Sequence, residues 1–185
     1  YRKNLGIELA KETDLEADLV VPVPDSGVPA ALGFAEQSKK KFELGLIRNH
    51  YVGRTFIEPQ QSIRALSVKL KHNVNRALID GKKIILIDDS IVRGTTSTKI
   101  IEMLRDSGAR EVHMRITSPP IKFPDFYGID TPIQEQLLSA KHTIDEISKF
   151  LKADSISFLS INGLYKAMGY PEGRDPDNPA FTDHC

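Results

Sequence analysis

The chain has 185 residues, with Lys plus Arg and Asp plus Glu at 25 each; that length suits one domain, which buries about 70% of its unfolded surface without staples. The zero formal charge supplies no global field for nucleic acid or an anionic membrane. No apolar stretch approaches the roughly 20 residues of a membrane span, and Tyr1 to Asn4 does not lead into a signal-peptide core, so a soluble, cytoplasmic protein is expected.

Leu19 to Val23 reads as the first strand, apolar and β-branched. It runs into the tight turn Asp25, Ser26 and Gly27, and a helix is predicted over Pro29 to Ser38, since proline is tolerated where the first N–H groups lack partners. Leu44 to Ile47 predicts a second strand. Between Arg48 and Arg76, six basic residues (Arg48, Arg54, Arg64, Lys69, Lys71 and Arg76) face a single acid, Glu58. Such a field suits a polyanionic ligand. Tyr51 to Ser62 lacks periodicity and is punctuated by Gly53 and Pro59, so it is read as a lid loop rather than a solvated basic surface.

Ile84 to Ile87 predicts a strand buried on both faces. It ends in Asp88 and Asp89, and the turn Ser90, Ile91, Val92, Arg93, Gly94, Thr95 and Thr96 then opens a helix. Ile100, Met103 and Leu104 stand at i, i+3 and i+4 on its apolar face, with Arg105 and Gly108 as the stop. Val112 to Ile116 and, more weakly, Ser155 to Leu159 are further strands. Thr143 to Glu146 has the spacing of a capping box before a helix carrying Ile147, Phe150 and Leu151. Gly163 to Ala167 adds a last turn or helix, and 169–185 reads as an irregular tail rich in Pro, Asp, Gly and Asn. Strands alternating with helices predict an α/β domain over 1–168, a mainly parallel central sheet flanked by helices.

The strand, carboxylate, glycine and hydroxyl run of 84–96 carries the chemistry. A helix N-terminus offers unpaired N–H groups and partial positive charge, so a phosphate set against Gly94, Thr95 and Thr96 can be held largely by main chain. The hydroxyls of Ser90, Thr95 and Thr96 add rotatable donors. Asp88 and Asp89 can accept from sugar hydroxyls or ligate a hard cation directly or through water. The turn at Asp25 to Gly27 offers a second set of backbone donors at the same sheet edge. Two such cradles suit a diphosphorylated sugar. No Gly-x-x-x-x-Gly-Lys phosphate loop, dinucleotide turn or His-Glu-x-x-His motif is present, and the five histidines lack metal-ligand spacing.

The run Ile87 to Thr96 (IDDSIVRGTT) resembles the phosphoribosyl pyrophosphate (PRPP) motif of type I phosphoribosyltransferases, and its long form resembles that of the amidophosphoribosyltransferase family. Three further segments agree in order: Val21 to Gly27 (VPVPDSG), Tyr51 to Gln60 (YVGRTFIEPQ), and Ser118 to Ile121 (SPPI) with Phe126 to Asp130 (FYGID). The resemblance implies that Asp88 to Thr96 bind PRPP, that Asp25, Ser26 and Gly27 form the pyrophosphate loop, and that Arg54, Gln61 and Arg64 belong to a lid. It implies Mg2+ held by Ser26, Asp88 and Asp89, and a reaction in which ammonia displaces pyrophosphate to give 5-phosphoribosylamine in purine synthesis. No residue is assigned as nucleophile or general base.

In that family a separate N-terminal glutaminase domain with a nucleophilic cysteine supplies the ammonia. Here Cys185 is the only cysteine and the chain begins at Tyr1, so the glutaminase domain is expected to be absent and the chain to use free ammonia only. Some members hold an iron–sulfur cluster through four cysteines, one at the position of Asp125; no such cluster is expected here. The resemblance also implies purine-nucleotide feedback inhibitors and a homo-oligomer in the full-length enzyme. The competing readings are a nucleobase salvage phosphoribosyltransferase and a non-catalytic PRPP sensor, separated by whether ammonia, a base or neither supports turnover.

Overall fold

The computed structural model describes residues 1–49, 72–125 and 133–181. Their architecture is the expected α/β one. Five parallel strands form the central sheet: β1 (Leu19–Pro22), β2 (Lys41–Phe42), β5 (Lys83–Asp88), β6 (Glu111–Ile116) and β7 (Ser155–Phe158), in the order β2-β1-β5-β6-β7. A separate antiparallel pair, β3 (Leu46–Arg48) and β4 (His72–Val74), lies outside that sheet, and the short helix α3 (Arg76–Ile79) leads from it towards β5. Among the described residues no helix is long and apolar enough to cross a membrane.

The connections fix where a ligand can sit. From β1 the chain passes through helix α2 (Val28–Ser38) to β2 on one side, whereas from β5 it passes through α4 (Thr95–Asp106) to β6 and then β7 on the other. The β1/β5 boundary is therefore a topological switch point, the place where open α/β sheets take ligands, beyond the carboxyl ends of the strands. Both turns singled out in the sequence leave the sheet at that boundary, β1 into Val23 to Gly27 and β5 into Asp89 to Gly94.

Alternation along β5 sends its side chains to two cores. Ile84 and Leu86 pack with Ile100, Ile101 and Leu104 of α4 and with Ile147 and Leu151 of α6 (Ile144–Leu151). Ile85 and Ile87 pack on the other face with Leu5 and Leu9 of α1 (Arg2–Glu12) and Phe34 of α2. All four of these β5 residues are fully buried, so the strand leading to the two carboxylates is held from both sides.

Several sequence expectations need correction. The apolar side of α4 is built from Ser97, Ile100, Ile101 and Leu104, with Met103 only half-buried. The strand expected at Leu44 to Ile47 is interrupted: Leu44 and Ile47 are exposed, Lys41–Phe42 joins β1, and Leu46–Arg48 pairs with β4. Gly45 lies between the two pairings, packed so closely that a Cβ there would lie 2.6 Å from the Ile79 side chain. Phe150 is also half-exposed rather than a core residue. Helix α1 has no strong signal of its own and forms by docking on α2, where a Cβ at Gly6 would come 1.8 Å from the Ala30 carbonyl oxygen.

The capping box before α6 is present: Thr143 Oγ1 accepts from the Glu146 N–H while Glu146 accepts from the Thr143 N–H. Beyond helix α7 (Ile161–Ala167) residues 170–181 form neither helix nor strand. They nevertheless turn back on α7, where Phe181 stacks on the buried Tyr165 with ring centroids 4.3 Å apart.

Candidate active site

The first turn begins where the Val23 N–H donates to the Ile87 carbonyl at 2.8 Å, stitching the end of β1 to β5. The Gly27 N–H then donates to the Val23 carbonyl at 2.9 Å, and the chain enters α2. Gly27 has no room for a side chain: a Cβ would lie 2.5 Å from the Ile87 oxygen and 2.8 Å from the Val23 oxygen, both backbone. Asp25 is exposed and pairs with Arg48, whose Nη1 donates to its Oδ2 at 2.6 Å. Ser26 is half-buried, and its carbonyl accepts from Arg2 Nη1 at 3.4 Å.

The second turn starts at Asp88. Its carboxyl group is buried, and its Oδ1 accepts from the Asp89 N–H at 2.8 Å. Burial first, and the neighbouring Asp89 carboxylate second, push the Asp88 pKa well above the ordinary carboxylate range, against the opposing pull of that backbone hydrogen bond. Among the described residues no positive charge offsets the burial of Asp88 and the repulsion from Asp89 there. Thr117, just past β6, donates its N–H to the Asp88 carbonyl at 3.1 Å, which fixes the strand end from the other side.

Ser90 is half-buried, whereas the Ile91 side chain is turned into the main core. Only the backbone of Ile91 is left at the turn. Val92 is tied by its carbonyl, which accepts the Leu138 N–H at 2.8 Å. Gly94 is buried and adopts φ +75°, a left-handed conformation that favours glycine. It is the N-cap of α4, and no side chain caps this end. Thr95 is half-buried and Thr96 exposed in the first turn, whose N–H groups have no intrahelical partner.

Of the described helices away from this edge, α1, α3 and α5 (Leu138–Lys141) also lack a side-chain cap, and two are capped. Thr143 caps α6, and Ser160 caps α7 by accepting from the Gly163 N–H. The two helices that follow β1 and β5 have glycine N-caps, Gly27 and Gly94, and no side-chain cap. Their open N–H groups and positive dipole ends face one sheet edge, where an anion can complete them. The arrangement brings together Asp25 to Gly27 and Asp88 to Thr96. The third predicted group, Arg54, Gln61 and Arg64, lies outside the described residues, as does Cys185.

Sequence reasoning missed Gln136, Leu138 and Thr117, each in backbone or side-chain contact with the second turn. No local signal marks them, because Gln136 is 43 residues from Arg93 and the two meet only through the fold.

Two glycine-capped helix N-termini flank a buried carboxylate at a switch point, an arrangement that can receive an anionic ligand. Residues 3–117 match the family model described as a phosphoribosyl transferase domain. The chain belongs to that family. It is 62% identical over 184 residues to an amidophosphoribosyltransferase of Rhizobium etli, covering 99% of this chain and 37% of the relative. Amidophosphoribosyltransferase 1, chloroplastic, of Arabidopsis thaliana is 54% identical, with 100% and 31% covered. A solved glutamine PRPP amidotransferase from B. subtilis, complexed with ADP and GMP, superposes with a TM-score of 0.80 at 52% identity, covering 91% of this chain and 37% of that one. The fold is thus the type I phosphoribosyltransferase fold. The chain spans about a third of the length of the curated relatives it matches.

Proposed function

We propose that these residues are the phosphoribosyltransferase part of an amidophosphoribosyltransferase, in which ammonia displaces pyrophosphate from PRPP to form 5-phosphoribosylamine for purine synthesis. The observation that carries the reading is the uncapped N-terminus of α4, opened by Gly94 shortly after the buried Asp88. The kinship with amidophosphoribosyltransferases supports the choice of ammonia as acceptor. On this reading 1–168 form the catalytic domain and 169–185 its tail. The glutaminase domain that delivers ammonia is not among these residues, and the enzyme works in the cytoplasm.

The division of labour follows from the chemistry of each group. The N–H groups and hydroxyls from Ser90 to Thr96 hold the 5-phosphate, and Asp25 to Gly27 hold the pyrophosphate. Asp88 and Asp89 accept from the ribose hydroxyls. Ammonia nitrogen forms a bond to the anomeric carbon as the carbon–oxygen bond to pyrophosphate breaks; the electron pair leaves with pyrophosphate and the new amine sheds a proton. Positive charge develops on the sugar and negative charge on the leaving group, so the residues act by positioning and electrostatics, with no protein nucleophile. Arg54, Gln61 and Arg64 bear on the pyrophosphate from the basic segment.

The donor set fits magnesium. Among the described residues no group of three or more His, Cys, Asp or Glu side chains could hold an ion by itself, and Mg2+ needs no such cage: it takes one or two carboxylates and completes its shell with water and substrate phosphates. Asp88, Asp89 and Ser26 would hold it, and Asp88 lacks the counter-charge that it would bring. When bound, it supplies neutralisation of the pyrophosphate charge. Purine nucleotides as feedback ligands and a homo-oligomeric full-length enzyme complete the proposal; the B. subtilis neighbour carries ADP and GMP.

The test is to supply the chain with PRPP and magnesium together with ammonia, glutamine or a nucleobase. Ammonia supports pyrophosphate release and phosphoribosylamine formation, whereas glutamine and bases do not. Turnover with a base alone would assign the site to salvage chemistry, and binding without turnover would assign it to sensing.

A further inference from the structure

The second turn is held in place by a segment that makes no part of the phosphate cradle itself. A short 3-10 helix at Gln134–Gln136 leads directly into helix α5 (Leu138–Lys141). Three consecutive turn residues lean on this segment and on α6. The Val92 carbonyl accepts the Leu138 N–H. Arg93 donates from Nε to Gln136 Oε1 at 2.8 Å, and its Nη2 donates to the same oxygen. At Gly94 the Leu138, Leu151 and Phe150 side chains close over the position a Cβ would take, the nearest at 2.9 Å.

Arg93 is the one basic residue between Asp88 and Thr96, which makes it the natural choice for a direct phosphate ligand. Its geometry argues otherwise. The guanidinium is engaged as a fork on a neutral amide oxygen, and the side chain is thereby aimed toward residues 134–138. A fork fixes orientation in a way that a single-point contact does not. Because Gln136 is uncharged, the fork holds the guanidinium in place without cancelling its charge.

We infer that Gln136 and Arg93 form a positioning couple: the fork sets the backbone of Val92 to Gly94 so that the first-turn N–H groups of α4 face the 5-phosphate, and Gln136 itself never touches substrate. The inference deepens the proposed function and rests on the 5-phosphate lying at this turn. The fork is at the surface, so removing it leaves the core packing of Leu138 and Leu151 intact and its effect is read on binding rather than on folding.

The experiment is a double-mutant cycle on the 185-residue chain, with Arg93→Lys, Gln136→Met and the double variant. Titration calorimetry measures ribose 5-phosphate and, separately, pyrophosphate. Arg93→Lys keeps the charge but cannot fork, and Gln136→Met keeps the bulk but removes the acceptor. Each single variant binds ribose 5-phosphate about tenfold more weakly, as befits a hydrogen bond to a charged group. The double variant is no weaker than either single one, because both remove the same interaction. Pyrophosphate affinity is unchanged, since its cradle is the other turn, and all three variants stay folded, sharing a loss of no more than a few °C in melting temperature.

If Arg93→Lys binds normally, or if Gln136→Met binds normally while Arg93→Ala does not, Arg93 is a direct ligand and the couple is refuted. Equal weakening for both ligands would also refute it, as a general loss of structure. Failure of the unaltered chain to bind ribose 5-phosphate or Mg-PRPP at all would instead overturn the proposed function.

Discussion

Gly94→Ala is the substitution that most sharply separates the roles of conformation and packing at the site. Two penalties apply. A residue with a Cβ at φ +75° costs about 1–2 kcal/mol from the left-handed conformation alone. The new methyl would also lie 2.9 Å from Leu138 Cδ2 and 3.1 Å from both Leu151 Cδ2 and Phe150 Cε1, and overpacking of this kind costs about 1–3 kcal/mol. Gly81 supplies the control. It has φ +71° with nothing within 4 Å of the position a Cβ would take, so Gly81→Ala carries only the conformational penalty. Gly94→Ala should therefore be less stable than Gly81→Ala by about 1–3 kcal/mol, at roughly 2–4 °C of melting temperature per kcal/mol for a chain of this size. Only Gly94→Ala should also weaken ribose 5-phosphate, because only there does the strain fall on the cradle. Parallel thermal melts and titrations check both. Equal melting temperatures for the two variants would refute the packing argument.

Asp88 gives a pH prediction with an unusual sign. Its folded pKa is raised by burial and by Asp89, so in the ligand-free protein the native state binds the proton more tightly than the unfolded state. The stability that this proton contributes is present below the ordinary carboxylate pKa and is lost as pH rises through the folded value. Asp88→Asn should accordingly be more stable than the unaltered chain at neutral pH, with the advantage shrinking as the pH falls; a destabilised Asn variant at neutral pH would contradict the assignment. Glu12 accepts from both the N–H and the hydroxyl of Ser160, so Glu12→Ala should lower stability by about 1–2 kcal/mol through α7, measured by urea unfolding. Phe181→Ala removes the ring stacked on Tyr165 and should cost about 0.5–1.5 kcal/mol beyond the lost burial without changing ribose 5-phosphate affinity.

The parts of the site legible in the sequence are those whose chemistry is local. An apolar run ending in Asp88 and Asp89, followed by Gly94 and two threonines, spells strand, carboxylate, glycine cap and helix start between Ile84 and Thr96. Each step has its own local cause. What could not be read depends on distant partners. The burial of Asp88 comes from the flanking strands and Thr117, and the support of Val92 to Gly94 comes from residues such as Gln136, 43 positions away from Arg93. Arg93 shows the consequence: its side-chain partner, Gln136, is set only by the fold. Helix α1 escaped notice because Leu5 and Leu9 alone make a thin apolar stripe, and its glycine becomes meaningful only against Ala30. The strand expected at Leu44 to Ile47 formed only in part, as Leu46–Arg48: the apolar residues were there, but Lys41–Phe42 and Leu46–Arg48 pair in two different sheets.

The central claim is that Asp88 and Asp89 beside the uncapped end of α4 hold PRPP for attack by ammonia. Its most direct test is the rate of ammonia-dependent phosphoribosylamine formation by the unaltered chain and by the Asp88→Asn/Asp89→Asn double variant, each shown to be folded by circular dichroism. Product from the unaltered chain and its loss in the folded double variant is the predicted result; undiminished turnover in the double variant would contradict the account.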